Sequence, residues 1–156
     1  MKIYLAGGCF WGVEAYFGYI NGVIKTSVGY ANSNIENPTY EQVCSGKTGS
    51  VECVEIIYDE VKITLDYILD EFFSIINPYS INKQGNDIGE QYRSGIYYIN
   101  DIDKQIIQNY IDSHFKEKIA TEIKYLQNYF LAESYHQKYL KKNPNGYCHI
   151  DLSKFI

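Results

Sequence analysis

The chain has 156 residues, 46% of them hydrophobic and 21% charged, with a formal net charge of −5. That suits a single domain over residues 1–156 and excludes a disordered chain. The acidic balance, with Arg93 as the one arginine, argues against a basic nucleic-acid-binding face, and the longest apolar runs fall far short of the ~20 residues that cross a bilayer.

Residues 2–6 alternate Ile3 and Leu5 with Lys2 and Tyr4, the period of a strand, and Gly7-Gly8 breaks it. From Cys9 onward Phe10, Val13, Phe17 and Ile20 recur at helical spacing until Asn21-Gly22. Residues 23–30 read as a second strand, followed by an Asn-rich loop closed by Pro38. Thr39 caps a short helix with Gln42 in capping-box position. Residues 50–58 form a central strand. Thr64 caps a helix whose Leu65, Ile68, Leu69, Phe72, Ile75 and Ile76 make an apolar stripe. Residues 79–94 read as a long polar loop, a length that points to function or disorder. A strand follows over 95–99. A helix starts at Asp101, with Ile102, Ile106, Tyr110 and Ile111 or His114 on its apolar face. Further elements are a strand over 120–125, a helix over 132–141 and an irregular tail. The expected fold is α+β, a two-layer sandwich with a mixed sheet.

Four cysteines, Cys9, Cys44, Cys53 and Cys148, are widely spaced with no CxxC pair, so no metal site is expected. No secretory signal is visible, which favours a reducing compartment. Aromatic residues reach 16%, with 17 Tyr against 7 Phe and 1 Trp. Tyrosine combines a large apolar body with one hydroxyl, so most of these pack and a few can serve chemistry.

The stretch Gly7-Gly8-Cys9-Phe10-Trp11-Gly12 sets a cysteine where a strand turns into a helix. Unpaired amides and the helix dipole at that position favour negative charge, so the thiol is expected to shift toward thiolate. A buried cysteine in an ordinary strand–helix turn is the plain alternative. A Cys-His hydrolase, with His114, His136 or His149 as base, and an aromatic-rich peptide-binding module also stay open on residues alone.

Gly8-Cys9-Phe10-Trp11-Gly12 resembles the signature of the A-type peptide methionine sulfoxide reductases. Three further blocks, in order, are similar to that family: Tyr40 through Glu52, Gln84 through Ser94, and Tyr135-His136-Gln137 with Asn143-Pro144 and Gly146-Tyr147-Cys148. The resemblance implies a ferredoxin-like α/β roll with a long irregular C-terminal tail, about 143–156, that is mobile and carries a resolving cysteine. It implies reduction of methionine S-sulfoxide, free or in peptides and proteins, in the cytoplasm. Cys9 is then the nucleophile that attacks the sulfoxide sulfur; the sulfoxide is released as sulfide and Cys9 becomes a sulfenic acid that holds the oxygen. Glu52 matches the family's acid. On a strand it shares a face with Val54 and Ile56, and an apolar setting keeps a carboxyl protonated. Tyr40 and Tyr92 match the hydroxyls that bind the sulfoxide oxygen. Phe10 and Trp11 match the pocket for the S-methyl group, and Asp87 a polar residue near the cysteine and the substrate. Cys148 is the resolver, and thioredoxin or another thiol reduces the resulting disulfide, with no cofactor bound. Cys44 and Cys53 are expected to be buried bystanders. Ser50 departs from the family's usual His.

Overall fold

The computed structural model describes residues 1–155. Thirteen helices and strands follow in chain order: β1 (Lys2–Ala6), α1 (Phe10–Gly18), β2 (Val23–Ala31), α2 (Tyr40–Cys44), β3 (Val51–Tyr58), α3 (Leu65–Ile75), β4 (Lys83–Gln84), β5 (Asp87–Ile88), β6 (Gly95–Tyr98), α4 (Asp101–His114), β7 (Glu122–Tyr125), β8 (Tyr129–Leu131) and α5 (Tyr139–Lys142). Six strands form one sheet in the order β7-β6-β1-β3-β2-β8. Only the β6–β7 pair is parallel. The run β1-α1-β2-β3-α3-β6, with its strands side by side as β6-β1-β3-β2, is the split βαβ arrangement of ferredoxin-like folds. The expected α+β sandwich on a mixed sheet is therefore the observed one.

Strand alternation divides the sheet into two faces. Ile3, Leu5, Val28, Tyr30, Val54, Ile56, Ile96 and Tyr98 point toward α1, α3 and α4 and form the main core with Phe17, Ile68, Leu69 and Phe72. Tyr4, Ala6, Ala31, Val51, Cys53 and Tyr97 make a smaller cluster on the opposite face, under Leu126 and Tyr129. Glu52 belongs by parity to the main-core face, as its spacing from Val54 and Ile56 predicts.

Local signals explain most boundaries. Thr39 accepts from the Gln42 amide at 3.2 Å, and the Gln42 side chain accepts from Thr39 N–H at 2.8 Å, a complete capping box. Thr64 and Asn100 cap α3 and α4 in the same manner.

Three readings need correction, and one strand was not anticipated. The loop over 79–94 contains the small β4–β5 hairpin and a 3₁₀ turn at Glu90–Tyr92. The helix expected over 132–141 is split: a 3₁₀ turn covers Ser134–His136, Lys138 takes a left-handed conformation at φ 55°, and α5 starts only at Tyr139. Lys138 is held there by Glu14, which accepts from its amide at 2.8 Å and its ammonium at 3.1 Å. Strand β8 carries no period-2 signal strong enough to be read. On α4 the buried set is Asp103, Ile107 and Tyr110, whereas Ile102 is 74% exposed; the cap at Asn100 turns Asp103 inward and rotates the stripe.

The C-terminal tail lies over α1. Ile150 joins the core, Leu152 packs against it, and Phe155 stacks on Tyr19 with ring centroids 4.8 Å apart. Phe72 is fully buried between the sheet and the Gly7 turn. Phe72→Ala is expected to destabilise the fold by about 3–5 kcal/mol, read as a lowered urea midpoint.

Candidate active site

Cys9 is the N-cap of α1, reached from β1 through Gly7 and Gly8. Gly8 has φ +83°, a conformation that only glycine takes without strain. The first amides of the helix point into the sheet edge and have no partner within the helix. Two carboxyl groups from distant segments supply them. Phe10 N–H donates to Glu52 Oε1 at 3.1 Å, and Cys9 N–H donates to Asp87 Oδ2 at 3.2 Å. Glu52 arrives because β3 pairs antiparallel with β1, Leu5 opposite Val54, which sets Glu52 level with the glycine turn. Asp87 arrives on the β4–β5 hairpin.

Glu52 is 1% exposed. Burial, reinforced by the nearby Asp87 carboxyl, outweighs the Phe10 amide and pushes its pKa up to about 8. At neutral pH it is a carboxylic acid with a proton to give. The thiolate expected at Cys9 is not favoured in the resting site. Cys9 is 7% exposed, and burial first, then the Glu52 charge, push its thiol up, while the Trp11 amide works weakly the other way. The helix terminus favours charge only where charge stays solvated, and here desolvation is larger. Below about pH 8 the protonated Glu52 no longer opposes ionisation of Cys9.

The Tyr92 hydroxyl is also pushed up, first by burial and then by Glu52, Cys9 and Asp87. Tyr40 is pushed up by burial and by its hydrogen bond with Cys44, with Glu52 and Tyr92 adding smaller amounts. Both hydroxyls stay neutral, and both feel the Glu52 charge. The backbone of Tyr40 is anchored by Glu133, which accepts its amide at 2.9 Å and the Tyr30 hydroxyl at 2.7 Å.

Phe10 and Trp11 stand in an aromatic wall. Trp11 stacks on Tyr139 at 3.7 Å between centroids. Phe10 packs on Tyr30 and His136, and Tyr40 on His136. His136 was read only as part of a motif or as a rival base. Trp11 Nε1–H donates to its Nδ1 at 2.9 Å, so Nδ1 is occupied and Nε2 carries the ring proton. Burial lowers its pKa, so it is a neutral wall residue. His114 lies elsewhere, stacked on Tyr110 at the end of α4.

The tail brings three consecutive residues to the cysteine turn. Tyr147 O–H donates to Asp87 Oδ1 at 2.8 Å, Cys148 abuts Gly12, and His149 Nε2 lies 2.8 Å from the Gly7 carbonyl. In the sequence His149 is one candidate hydrolase base and Tyr147 a motif residue, and Gly8 and Gly12 are the signal that something presses on this turn. Cys53 is fully buried on the far face, as expected. Cys44 is exposed, which corrects the expectation that it is buried: α2 is short and turns its last residue to solvent. Ser50, in place of the family's usual His, is buried and hydrogen-bonded to Thr48 Oγ1 at 2.7 Å. Among the described residues no cluster of three His, Cys, Asp or Glu side chains is arranged to hold a metal ion, and no helix is long and apolar enough to cross a membrane.

A cysteine beside a protonated acid and two phenol donors, with a second cysteine against the same helix turn, defines a thiol-based oxidoreductase. The sequence model of the peptide methionine sulfoxide reductase family matches residues 1–156. A relative called peptide methionine sulfoxide reductase MsrA, from Mycoplasma pneumoniae, is 56% identical over 152 residues, 96% of this chain and 97% of the relative. The crystal structure of Mxr1 from Saccharomyces cerevisiae in reduced form superposes with a TM-score of 0.89 at 39% identity, covering 97% of this chain and 91% of that one. The structure of Mxr1 in complex with Trx2 matches at a TM-score of 0.60 and 26% identity, over 89% of this chain and 84% of that one. The chain belongs to the peptide methionine sulfoxide reductase family.

The raised Glu52 pKa has a stability consequence. Between the ordinary carboxyl value of 4.5 and about 8, the folded state keeps a proton that the unfolded state has lost. Stability therefore falls as pH rises through that window and levels off above it. Glu52→Gln is expected to be more thermostable than wild type at pH 8, with the difference shrinking toward pH 5, in thermal melts at the two pH values.

Proposed function

We propose that this chain reduces methionine S-sulfoxide, free or within proteins, through Cys9, with an external dithiol of the thioredoxin type as reductant and no bound cofactor. The observation that carries the reading is the buried Glu52 carboxyl, held on the Phe10 amide next to Cys9, where burial keeps it protonated at neutral pH. A sulfoxide oxygen gains negative charge as its sulfur is attacked. Neutral donors brought to that oxygen, one of them an acid near its pKa, stabilise that charge. Phe10 and Trp11 receive the S-methyl group, so an apolar wall on one side and oxygen donors on the other select one epimer. Asp87 holds the Cys9 amide and orients the cysteine turn.

The electrons balance in three steps. The Cys9 thiol is oxidised to a sulfenic acid as the sulfoxide becomes a sulfide. Cys148 condenses with that sulfenic acid, giving a Cys9–Cys148 disulfide and water. A dithiol then reduces the disulfide by exchange. The position of Cys148 against Gly12, one helical turn beyond Cys9, supports it as the resolver; forming the disulfide requires the tail to shift. The Trx2 complex of the yeast relative supports thioredoxin as the reductant. A reducing compartment, the cytoplasm, is where such dithiols are maintained, and we place the chain there.

An epimer-resolved reductase assay with dithiothreitol or thioredoxin tests the reading. Turnover of the S form is expected; activity on the R form alone overturns the assignment. Cys9→Ser should abolish turnover. Cys148→Ser should still release one methionine per enzyme and fail to recycle with thioredoxin. Glu52→Gln should slow the oxygen-transfer step by a factor of about 10²–10⁴. In wild type the acid-dependent part of that rate should be flat below about pH 8 and fall above it, in single-turnover measurements across pH 6–9.

A further inference from the structure

His149 follows the proposed resolver, and its side chain is 5% exposed. Two glycines make its cradle: a Cβ at Gly8 would stand 2.6 Å from Nε2, and one at Gly12 would stand 3.1 Å from Nδ1. Nε2 lies 2.8 Å from the Gly7 carbonyl oxygen. A carbonyl only accepts, so Nε2 bears the ring proton. That leaves Nδ1 with either a lone pair or a second proton. Nδ1 is buried and has no hydrogen-bond partner. Asp87 Oδ2 lies 3.4 Å from it and is the same atom that accepts the Cys9 amide. A lone pair facing a carboxylate gains nothing, whereas a proton arriving at Nδ1 meets an anion in a site shielded from water. The Cys148 sulfur is also 3.1 Å from the point a Gly12 Cβ would occupy, so thiol and Nδ1 crowd the same spot above the first turn of α1.

We infer that His149 Nδ1 is the proton acceptor of the resolving step, with Asp87 as its counter-ion. The inference rests on the reading of Cys9 as nucleophile and Cys148 as resolver. The Cys148 thiol, which now donates to the Ile150 carbonyl at 3.2 Å, gives its proton to Nδ1. The thiolate attacks the Cys9 sulfur of the sulfenic acid. A sulfur–sulfur bond forms, the sulfur–oxygen bond breaks, and the departing hydroxide takes the proton back from the imidazolium as water. No outside oxidant or reductant enters. The groups facing His149 are Asp87 from β5, Cys9 from α1 with Glu52 behind it, and Tyr147 and Cys148 from the tail; Gln84 on β4 is neutral. Tyr147 O–H occupies Asp87 Oδ1, which leaves Oδ2 for the Cys9 amide and the imidazolium.

Rapid-quench kinetics without reductant separate the two chemical steps. Wild type, His149→Gln and His149→Ala are mixed with methionine S-sulfoxide, and methionine release and disulfide formation are followed separately. Gln retains an N–H donor for the Gly7 carbonyl and has no basic nitrogen. Methionine release is expected to be unchanged in all three proteins, which also reports intact folding. Disulfide formation is expected to slow about a hundredfold in both variants. Added imidazole should restore the disulfide rate of the Ala variant. A normal disulfide rate in His149→Gln overturns the inference, including the case in which only Ala is slow and the ring merely seats the tail. Loss of the methionine burst in the variants overturns it as well, since His149 would then act on the first step. A wild-type protein with no Cys9-dependent methionine release would instead remove the underlying reading of the site.

Discussion

The hydrogen bond from Phe10 N–H to Glu52 joins the two halves of this protein. It spans 42 residues of sequence, ties the middle strand of the sheet to the start of α1, and does so with a buried carboxyl group. A buried acid can be stabilised by ionising against a partner or by staying neutral. Here no cation faces it, Asp87 adds repulsion, and neutrality is the outcome. The same burial that would weaken the fold at high pH supplies a proton donor beside the thiol. Neutrality of Glu52 also removes the main charge-charge obstacle to ionising Cys9, so the two groups are coupled through one proton.

Around that bond the rest of the structure is arranged to keep the cysteine turn in one geometry. Asp87 takes the Cys9 amide from one side and is itself held by Tyr147 of the tail. Glu14, buried beneath Lys138 and Thr26, fixes the left-handed residue that launches α5, and α5 delivers Tyr139 to the face of Trp11. Arg93 donates to the Gly49 and Glu90 carbonyls at 3.0 Å and pairs with Glu122, which locks the approach to β3 and the 3₁₀ turn bearing Tyr92. Each of these groups acts on the cysteine turn through a neighbour.

Much of this was legible in the residues because it rests on local rules. The glycine pair before Cys9, the Thr39–Gln42 capping box, and the parity that puts Glu52 with Val54 and Ile56 each follow from period or turn chemistry over a few positions. The motif order proposes Tyr40, Tyr92, Asp87 and Cys148 for the site. What escaped is non-local. The ionisation of Cys9 depends on burial and on Glu52 and Asp87, none of which its own sequence neighbourhood reveals, so the helix-terminus argument gave the wrong direction. Lys138 breaks the expected helix because a glutamate 124 residues away holds it. Strand β8 exists because β2 offers it an edge, with Tyr30 opposite Phe130. His136 and His149 gained their settings only once the aromatic wall and the tail had been placed around them.

The protonation state of Glu52 is the quantity on which the electrostatics of the site turn, and it is directly measurable. Infrared difference spectra of wild type against Glu52→Gln, recorded from pH 5 to pH 9, isolate the carboxyl stretch of this one group. A protonated-carboxyl band that persists at pH 7 and disappears near pH 8 is the expected result. An ionised carboxylate signal already complete at pH 6 would contradict it, and with it the assignment of Glu52 as the acid that serves Cys9.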